Sequence, residues 1–217
     1  MPPEPSPTPF HTVAFDLLTA LIDSWSLWEA VAGDAGAGRR WREASLRLVT
    51  SSGAYRDYEA IVAEAAVETG IRPDRSRELI ERWATLTPYP DSTPVLRTLH
   101  DAGFALVVVT NTSQRLAELA AARLEIPWAA VTSAEKAGHY KPDPRAYRAG
   151  AEAAGGAPGS VLFVAGSAHD VTGAAAAGLP VYWANRRRLP VPTGAHPIAD
   201  EPDLRALPEL LGVAGPR

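Results

Sequence analysis

The stretch Phe10–Leu21, FHTVAFDLLTAL, decides how the rest of the sequence is interpreted. Residues 12–15 are β-branched, small or aromatic, which is typical of a buried strand. Asp16 follows directly, and a carboxylate at the end of a buried strand is costly to desolvate unless it is paired or used. In open α/β sheets, ligands bind at that edge. Taken alone, Asp16 is therefore either a turn or helix-capping residue, or the reactive group of the protein.

Composition excludes several classes of protein. The chain has 217 residues, 46% of them hydrophobic, which is enough for one large domain or a domain with an inserted subdomain. With a net charge of −4 and no long basic run, we expect no nucleic-acid partner, and we interpret residues 186–188 (RRR) as a solvated loop. The absence of cysteine excludes disulfides, thiolate catalysis and cysteine-bound metals.

No apolar stretch is long enough to span a membrane, so we expect no membrane partner. The proline-rich residues 1–9 lack the basic flank and apolar core of a signal peptide. We therefore predict a disordered tail over residues 1–9 and a cytoplasmic protein.

The organisation of the chain changes twice. Residues 23–90 are helical in character, with apolar residues at helical spacing over 58–67 and 77–86 and no convincing strand. From residue 91 onward, predicted helices alternate with uninterrupted apolar runs that are typical of strands covered on both faces. This alternation predicts an α/β fold with a doubly wound parallel sheet, into which the helical segment is inserted.

Polar side chains follow three of the predicted strands. Asp16 follows the first, Thr110 and Asn111 follow the run at 104–109, and Ser167 with Asp170 follows the run at 161–164. Because the carboxyl ends of parallel strands share one edge of the sheet, we expect these groups to converge. A single acidic residue at a strand end is easily explained as a helix cap, but helix capping does not readily explain why three such groups converge.

These motifs resemble those of the haloacid dehalogenase superfamily, and within it the L-2-haloacid dehalogenases. The resemblance covers nearly all of residues 10–212. It is carried by FDLLTAL (15–21), RRWREASL (39–46), VVVTNTSQ (107–114), YKPDPRAY (140–147), FVAGSAHDVTGAAAAG (163–178) and VYWANR (181–186). It implies a Rossmann-like core formed by residues 10–22 and 91–217, with a helical cap of residues 23–90. Many members of this type are dimers, so a homodimer is a further expectation.

The resemblance also implies roles for three charged residues. Asp16 matches the family nucleophile, an ionised carboxylate that forms an ester with the substrate. Lys141 would keep Asp16 charged; otherwise it is a surface lysine of the KPDP turn. Asp170 would assist hydrolysis of the ester, and it also suits the N-cap of the following helix.

Further residues match substrate-binding positions of the family. Thr110 and Asn111 would hold a substrate carboxylate, or else form a strand-end turn. Tyr147 would orient groups through its phenol or pack as a helix residue. Arg42 matches the lid arginine that approaches the leaving halide, with Arg39 and Arg40 as competitors. The predicted substrate-binding set also includes Leu18, Ser167 and His169. Trp25 and Trp28 are open to three interpretations: cap core, pocket lining or dimer contact.

Departures from the family patterns affect the choice of reaction. Phosphatases of the superfamily carry aspartates at the positions of Leu18 and Gly166, where they supply an acid–base group and a Mg²⁺ ligand. Without them, Asp16 and Asp170 would form a poor Mg²⁺ site. We therefore expect no metal and no cofactor, and hydrolysis of a small 2-haloacid. The alternatives are a phosphatase acting on a phosphorylated small molecule and a catalytically idle binding protein.

Four positions, Ala20, Gly166, Ser167 and His169, also depart from the dehalogenase motifs, and Gly166 and Ser167 stand where the family has Ser and Asn. Ala20 lacks the usual hydroxyl, for which Thr19 is a replacement, and His169 stands where the family has an aromatic wall. His169 is then a polar pocket wall, a proton carrier or a surface residue.

Overall fold

A computed structural model describes residues 8–214, except for the side chain of Pro158. Residues 1–7, where most of the predicted tail falls, lie outside the described residues. The helices found within residues 8–214 are too short or too polar to cross a bilayer.

A six-stranded parallel sheet forms the centre of the fold and confirms the predicted α/β class. The strands of the protein are β1 (Thr12–Phe15), β2 (Ile22–Asp23), β3 (Thr87–Pro88), β4 (Ala105–Thr110), β5 (Ala130–Ser133), β6 (Val161–Ala165), β7 (Val181–Ala184) and β8 (Ala199–Glu201). The order in the sheet is β5-β4-β1-β6-β7-β8, and β2 and β3 form a separate short pair. The helices are α1 (Ser24–Ala32), α2 (Ala35–Ser52), α3 (Tyr58–Glu68), α4 (Pro73–Glu81), α5 (Ser92–Asp101), α6 (Gln114–Ala121), α7 (Ala134–Ala137), α8 (Pro144–Ala153), α9 (Ala168–Ala176) and α10 (Leu207–Leu210).

Strand β1 is buried on both faces, as its apolar sequence predicts. Val13 and Phe15 pack into one hydrophobic cluster, whereas Ala14 packs into a second cluster on the opposite face. This division follows from the two-residue period of a strand. The chain runs outward from β1 to β4 and β5, then returns to β6 on the other side of β1. That change of direction opens a crevice at the carboxyl ends of the central strands, next to Asp16.

Helices α1 to α4 form a unit between β2 and β3. Each packs on the next, and α1 also contacts α4. The close approach of α1 and α2 requires Gly38, because a Cβ there would lie 2.5 Å from the Cα of Glu29. The rings of Trp28 and Trp41 meet edge to face with centroids 4.6 Å apart, and the Trp41 indole donates to the Val62 carbonyl at 2.9 Å. Packing of large aromatic residues therefore holds the unit together.

The chain enters and leaves the helical unit through a short antiparallel pair. Ile22 pairs with Pro88 and Asp23 with Thr87, and the Tyr89 amide donates to the Leu21 carbonyl at 3.0 Å. The prediction that no strand occurs over residues 23–90 is therefore wrong at its two ends. A two-residue strand that contains proline is too short to show a periodic pattern in the sequence. Such a strand forms only because it pairs with a segment distant in the chain. We propose that this pair marks the boundary of a cap close to residues 23 and 90.

Candidate active site

Asp16 lies at the carboxyl end of β1, where the backbone passes into one turn of π-helix over Leu17–Leu21. Its carboxylate caps that turn: Oδ2 accepts hydrogen bonds from the Thr19 amide at 2.8 Å, the Thr19 hydroxyl at 2.5 Å and the Ala20 amide at 3.2 Å. The side chain is almost entirely buried. Ala20 lacks the hydroxyl that the dehalogenase motif has at this position, and the hydroxyl of the neighbouring Thr19 takes its place at Asp16.

Lys141 connects Asp16 to Asp170. Its Nζ lies 2.7 Å from Oδ1 of Asp16 and 3.1 Å from Oδ1 of Asp170. All three side chains are buried, although the two Asp–Lys pairs join residues far apart in the sequence. The sheet therefore brings these groups together, and Lys141 is not the surface lysine of an exposed turn.

The two carboxylates have opposite pKa shifts because they share one ammonium group. Burial acts to raise the pKa of Asp16, but Lys141 and the Thr19 hydrogen bonds outweigh it, so this pKa lies below its ordinary value. Burial, reinforced by repulsion from Asp16, raises the pKa of Asp170 even though Lys141 is close. Burial would lower the pKa of Lys141, yet the two carboxylates raise it. Asp16 is therefore the more firmly ionised carboxylate, and Asp170 is the better proton acceptor.

Asn111 is bound to the backbone that carries Lys141. Its Oδ1 accepts from the Lys141 amide at 2.7 Å, and its Nδ2 donates to the Lys141 carbonyl at 2.9 Å. The predicted substrate-binding amide therefore uses both of its ends to position the lysine, and one N–H remains available to a ligand. Thr110 differs: the residue lines the cavity, and its buried hydroxyl has no hydrogen-bond partner among residues 8–214.

Tyr147 and Ser167 were predicted to bind substrate, but in the structure the hydroxyls of both donate hydrogen bonds to Asp170. The Tyr147 phenol is fully buried behind Asp170 and donates to its Oδ1 at 2.9 Å. The Ser167 hydroxyl donates to Oδ2 at 3.0 Å and accepts from the Asp170 amide at 3.2 Å as the N-cap of α9. Because these hydroxyl protons are already donated, we now assign both residues a positioning role.

Arg42 of α2 is the arginine that reaches the site. Its guanidinium is buried, donates to the Ser24 hydroxyl, and has an unpartnered buried Nε. The Ser24 hydroxyl in turn donates to the Leu18 carbonyl, which connects α2 to the turn after Asp16. By contrast, Arg39 is exposed and paired with Glu29, and Arg40 is exposed. A buried guanidinium with a free N–H is suited to an anion.

A cavity of about 260 Å³ separates the helical unit from the sheet. The sheet side is polar and carries Asp16, Thr110, Asn111, Lys141 and Asp170. Helices α1 and α2 contribute both apolar residues, including Trp25 and Trp28, and polar ones such as Arg42. Leu18 lies in the lining, and His169 lies in it with an exposed side chain. Of the interpretations left open for the two tryptophans, the structure supports pocket lining for both, and Trp28 also belongs to the core of the helical unit.

Arg186 contradicts the prediction of a solvated arginine loop. Its guanidinium forms a two-point ion pair with Asp91 at 3.0 and 2.9 Å and donates twice to the Ala20 carbonyl at 2.9 and 2.8 Å. It also lies over the Tyr89 ring at 3.9 Å. Sequence reasoning did not find this contact between the turn after Asp16 and the segment that leaves the helical unit.

The residues at the carboxyl end of β6 do not suit a Mg²⁺ ion. A Cβ at Gly166 would lie 2.3 Å from the Ala20 nitrogen and 2.4 Å from the Thr19 carbonyl carbon, so a carboxylate there would displace the turn that holds Asp16. The Leu18 side chain offers no oxygen ligand, and its carbonyl already accepts a hydrogen bond from the Ser24 hydroxyl. Among residues 8–214, no group of three His, Asp or Glu side chains is placed to hold a metal. Mg²⁺ requires more hard oxygen ligands than this arrangement supplies.

Comparisons with known proteins find relatives among dehalogenases and a phosphatase. A family model described as a haloacid dehalogenase-like hydrolase matches residues 6–178. An (S)-2-haloacid dehalogenase (H-109) of Pseudomonas putida is 30% identical in an alignment that covers 94% of this chain and 98% of that protein. A phosphoserine phosphatase of Thermus thermophilus is 30% identical over 189 residues, which cover 82% of this chain and 75% of that protein. A crystal structure of a dehalogenase with an intermediate complex superimposes with a TM-score of 0.83 at 26% identity, over 94% of this chain and 97% of that one.

Proposed function

This chain belongs to the haloacid dehalogenase-like hydrolases, and we propose that it hydrolyses the carbon–halogen bond of a small 2-haloacid through an ester formed on Asp16. The observation that carries the proposal is the Asp16–Lys141–Asp170 trio, in which one buried carboxylate is kept ionised and the other is the better base. The trio lies in a cavity whose remaining residues offer no acid–base group at Leu18 and no metal ligand at Gly166.

In the first step, Asp16 attacks C2 of the substrate. Oδ2 already accepts three hydrogen bonds, whereas Oδ1 accepts only the one from Lys141, so Oδ1 has the free lone pair. A bond forms between Oδ1 and C2 while the carbon–halogen bond breaks, and halide leaves with the electron pair. Attack from the side opposite the halogen inverts C2. Exclusion of water by the helical unit strengthens the nucleophile, because solvation weakens a carboxylate.

In the second step, water attacks the carbonyl carbon of the Asp16 ester. Asp170 accepts the proton of the water, for which its raised pKa is suited. Collapse of the tetrahedral adduct breaks the bond between the ester oxygen and the Asp16 carbonyl carbon, and the proton held by Asp170 passes to the departing alkoxide to give the 2-hydroxy acid. The second proton of the water is lost to solvent as Asp16 returns to its carboxylate. Tyr147 and Ser167 hold Asp170 in place during this step.

Two unsatisfied groups in the site fit the charges of the substrate. The Thr110 hydroxyl has no partner among residues 8–214 and is available to the substrate carboxylate. The unpartnered Nε of Arg42 is available to the departing halide. Satisfying a buried polar group recovers the free energy lost by desolvating it, which favours a ligand at both places.

Halide release from a panel of 2-haloacids, measured with and without EDTA, tests the proposal. We expect halide and 2-hydroxy acid in equal amounts, with no effect of EDTA. Because the chain is similar to a phosphoserine phosphatase, the panel also includes phosphoserine with Mg²⁺, which tests the phosphatase alternative. Mg²⁺-dependent phosphate release without halide release would replace our assignment. If neither halide nor phosphate is released, the catalytically idle binding protein is the remaining alternative.

Substitutions of the trio test the mechanism. We expect Asp16→Asn to lower halide release by about 10⁴-fold or more, since removing a covalent nucleophile has effects of this order. Lys141→Ala should lower it by about 10²-fold, as expected for loss of a charged stabilising donor. Lys136→Ala, which changes the exposed lysine of α7, is the matched control. Full activity of Asp16→Asn on 2-chloropropionate would contradict this mechanism.

A homodimer stays a prediction of the resemblance, and a cytoplasmic location stays a prediction of the sequence composition. Sedimentation velocity at several protein concentrations tests the first: a sedimentation coefficient of a single 23.0 kDa chain throughout would contradict it. Fractionation of the producing cells tests the second.

A further inference from the structure

Arg187, on the loop after β7, lies at the same indole ring as Arg42. Its guanidinium carbon is 4.8 Å from the centroid of the Trp25 ring, and that of Arg42 is 4.2 Å from it. The two carbons are therefore no more than 9.0 Å apart, the sum of these distances. Both arginines line the cavity of the active site.

Among residues 8–214, Arg42 and Arg187 form no ion pair, whereas Lys141 is paired with Asp16 and Asp170, and Arg186 with Asp91. Glu43, the other carboxylate of the cavity lining, is exposed and pairs with neither. Contact with an indole face positions a guanidinium without cancelling its charge. The cavity thus has two guanidinium groups near one ring that form no ion pair within residues 8–214.

The two arginines differ in depth. Arg42 is only 4% exposed, whereas Arg187 is exposed and Trp25 is half-buried. An anion that enters the cavity from solvent therefore meets Arg187 before Arg42, and a halide that leaves passes them in the reverse order. Charges at the mouth of a cleft raise the local concentration of an oppositely charged ligand and its association rate.

We propose that Arg187 forms an outer binding site for small monovalent anions, in series with Arg42: the 2-haloacid on entry and the halide on exit. The proposal rests on the proposed function for the identity of these anions. Arg188 provides a matched control, because it is the adjacent exposed arginine and does not line the cavity.

The first test is the ionic-strength dependence of kcat/KM for 2-chloropropionate in wild type, Arg187→Gln, Arg187→Lys and Arg188→Gln. We expect Arg187→Gln to lower kcat/KM about fivefold at low salt, the upper range for an exposed ion pair. The difference should shrink at ~0.3 M salt because exposed charges are screened. Arg187→Lys should recover most of the loss, and Arg188→Gln should stay within about twofold of wild type.

A contact that merely holds α1 against the loop would give a different pattern. Arg187→Gln would then lower kcat/KM equally at all salt concentrations, and that result would reject the outer anion site. Equal salt slopes for Arg187→Gln and Arg188→Gln would reject it as well.

The second test needs no turnover. Sodium bromide is titrated into Asp16→Asn protein that also carries Arg187→Gln or Arg188→Gln, at constant ionic strength, and binding is followed by tryptophan fluorescence. We expect about threefold weaker bromide binding with Arg187→Gln, within the range for one exposed charge. Equal binding would overturn the inference. If wild type releases no halide from any 2-haloacid, the proposed function fails, while this titration still decides whether Arg187 binds anions.

Discussion

The hydroxyl of Thr19 donates the shortest of the hydrogen bonds to Asp16, at 2.5 Å. It contributes to lowering the pKa of Asp16, so its removal should raise that pKa. Because turnover needs the ionised form, we expect Thr19→Ala to move the acid limb of the pH profile of kcat/KM to higher pH. The value at neutral pH should fall about tenfold, as for loss of a hydrogen bond to a charged group. Thr19→Ser, which keeps the hydroxyl, is the control, and an unmoved acid limb in Thr19→Ala would contradict the assignment.

Gly166 allows the end of β6 to approach the turn after Asp16. A methyl group at this position would lie 2.3 Å from the Ala20 nitrogen, and backbone cannot yield as a flexible side chain does. We expect Gly166→Ala to lower the free energy of unfolding by about 1–3 kcal/mol, the usual cost of overpacking. Halide release should fall with it. Gly159→Ala is the control, because a Cβ there meets nothing within 4 Å. Equal urea denaturation midpoints for the two variants would refute the steric explanation.

At the scale of elements, the Arg186–Asp91 ion pair joins the end of β7, the segment after β3 and the turn that holds Asp16. Both side chains are largely buried, so loss of one partner leaves an unpaired charge. We expect Arg186→Gln to lower the free energy of unfolding by about 3 kcal/mol. Arg205→Gln, which breaks an exposed pair with Asp203, should cost less than about 1 kcal/mol.

The same pair has a signature in the pH dependence of stability. Burial acts to raise the pKa of Asp91, but hydrogen bonds from Arg186 and the Leu204 amide lower it below the ordinary value. A lowered pKa in the folded state stabilises the protein above the unfolded pKa, and this contribution is lost as pH falls through the folded pKa. In Arg186→Gln that acid-side loss should be smaller than in wild type. Urea denaturation across the acid range measures it, and an unchanged slope would contradict the role of the pair.

For the whole molecule, the trio imposes a conflict between stability and activity. The pKa of Asp170 is raised, so its contribution to stability is present below the unfolded pKa and is lost as pH rises through the folded pKa. The pKa of Asp16 is lowered, so its contribution has the opposite sign and is lost on acidification. We therefore expect Asp170→Asn to be at least as stable as wild type at neutral pH, and Asp16→Asn to be less stable. Both should lose activity.

Thermal and urea unfolding of the two variants at several pH values measures this difference. The two substitutions remove the same charge within the same trio, so each is the control of the other. If both variants lose the same amount of stability, the opposite pKa shifts of Asp16 and Asp170 have no effect on the free energy of unfolding.

The sequence by itself determined the fold class, the family and the convergence of Asp16, Thr110 and Asp170. These follow from local patterns: buried strands read as apolar runs, and alternation with helices forces a parallel sheet whose carboxyl ends share one edge. The polar residue that follows each strand is therefore placed before any contact is known.

Only the tertiary structure decided what each polar group contacts. The hydroxyls of Tyr147 and Ser167 are directed at Asp170, Asn111 holds the backbone of Lys141, and Arg186 is buried against Asp91. Most of these bonds join residues 23 to 95 positions apart in the chain, and only Ser167–Asp170 is local. A side chain in the sequence carries its donors and acceptors but not its partners, which are fixed when distant segments pack and every buried polar group must be satisfied.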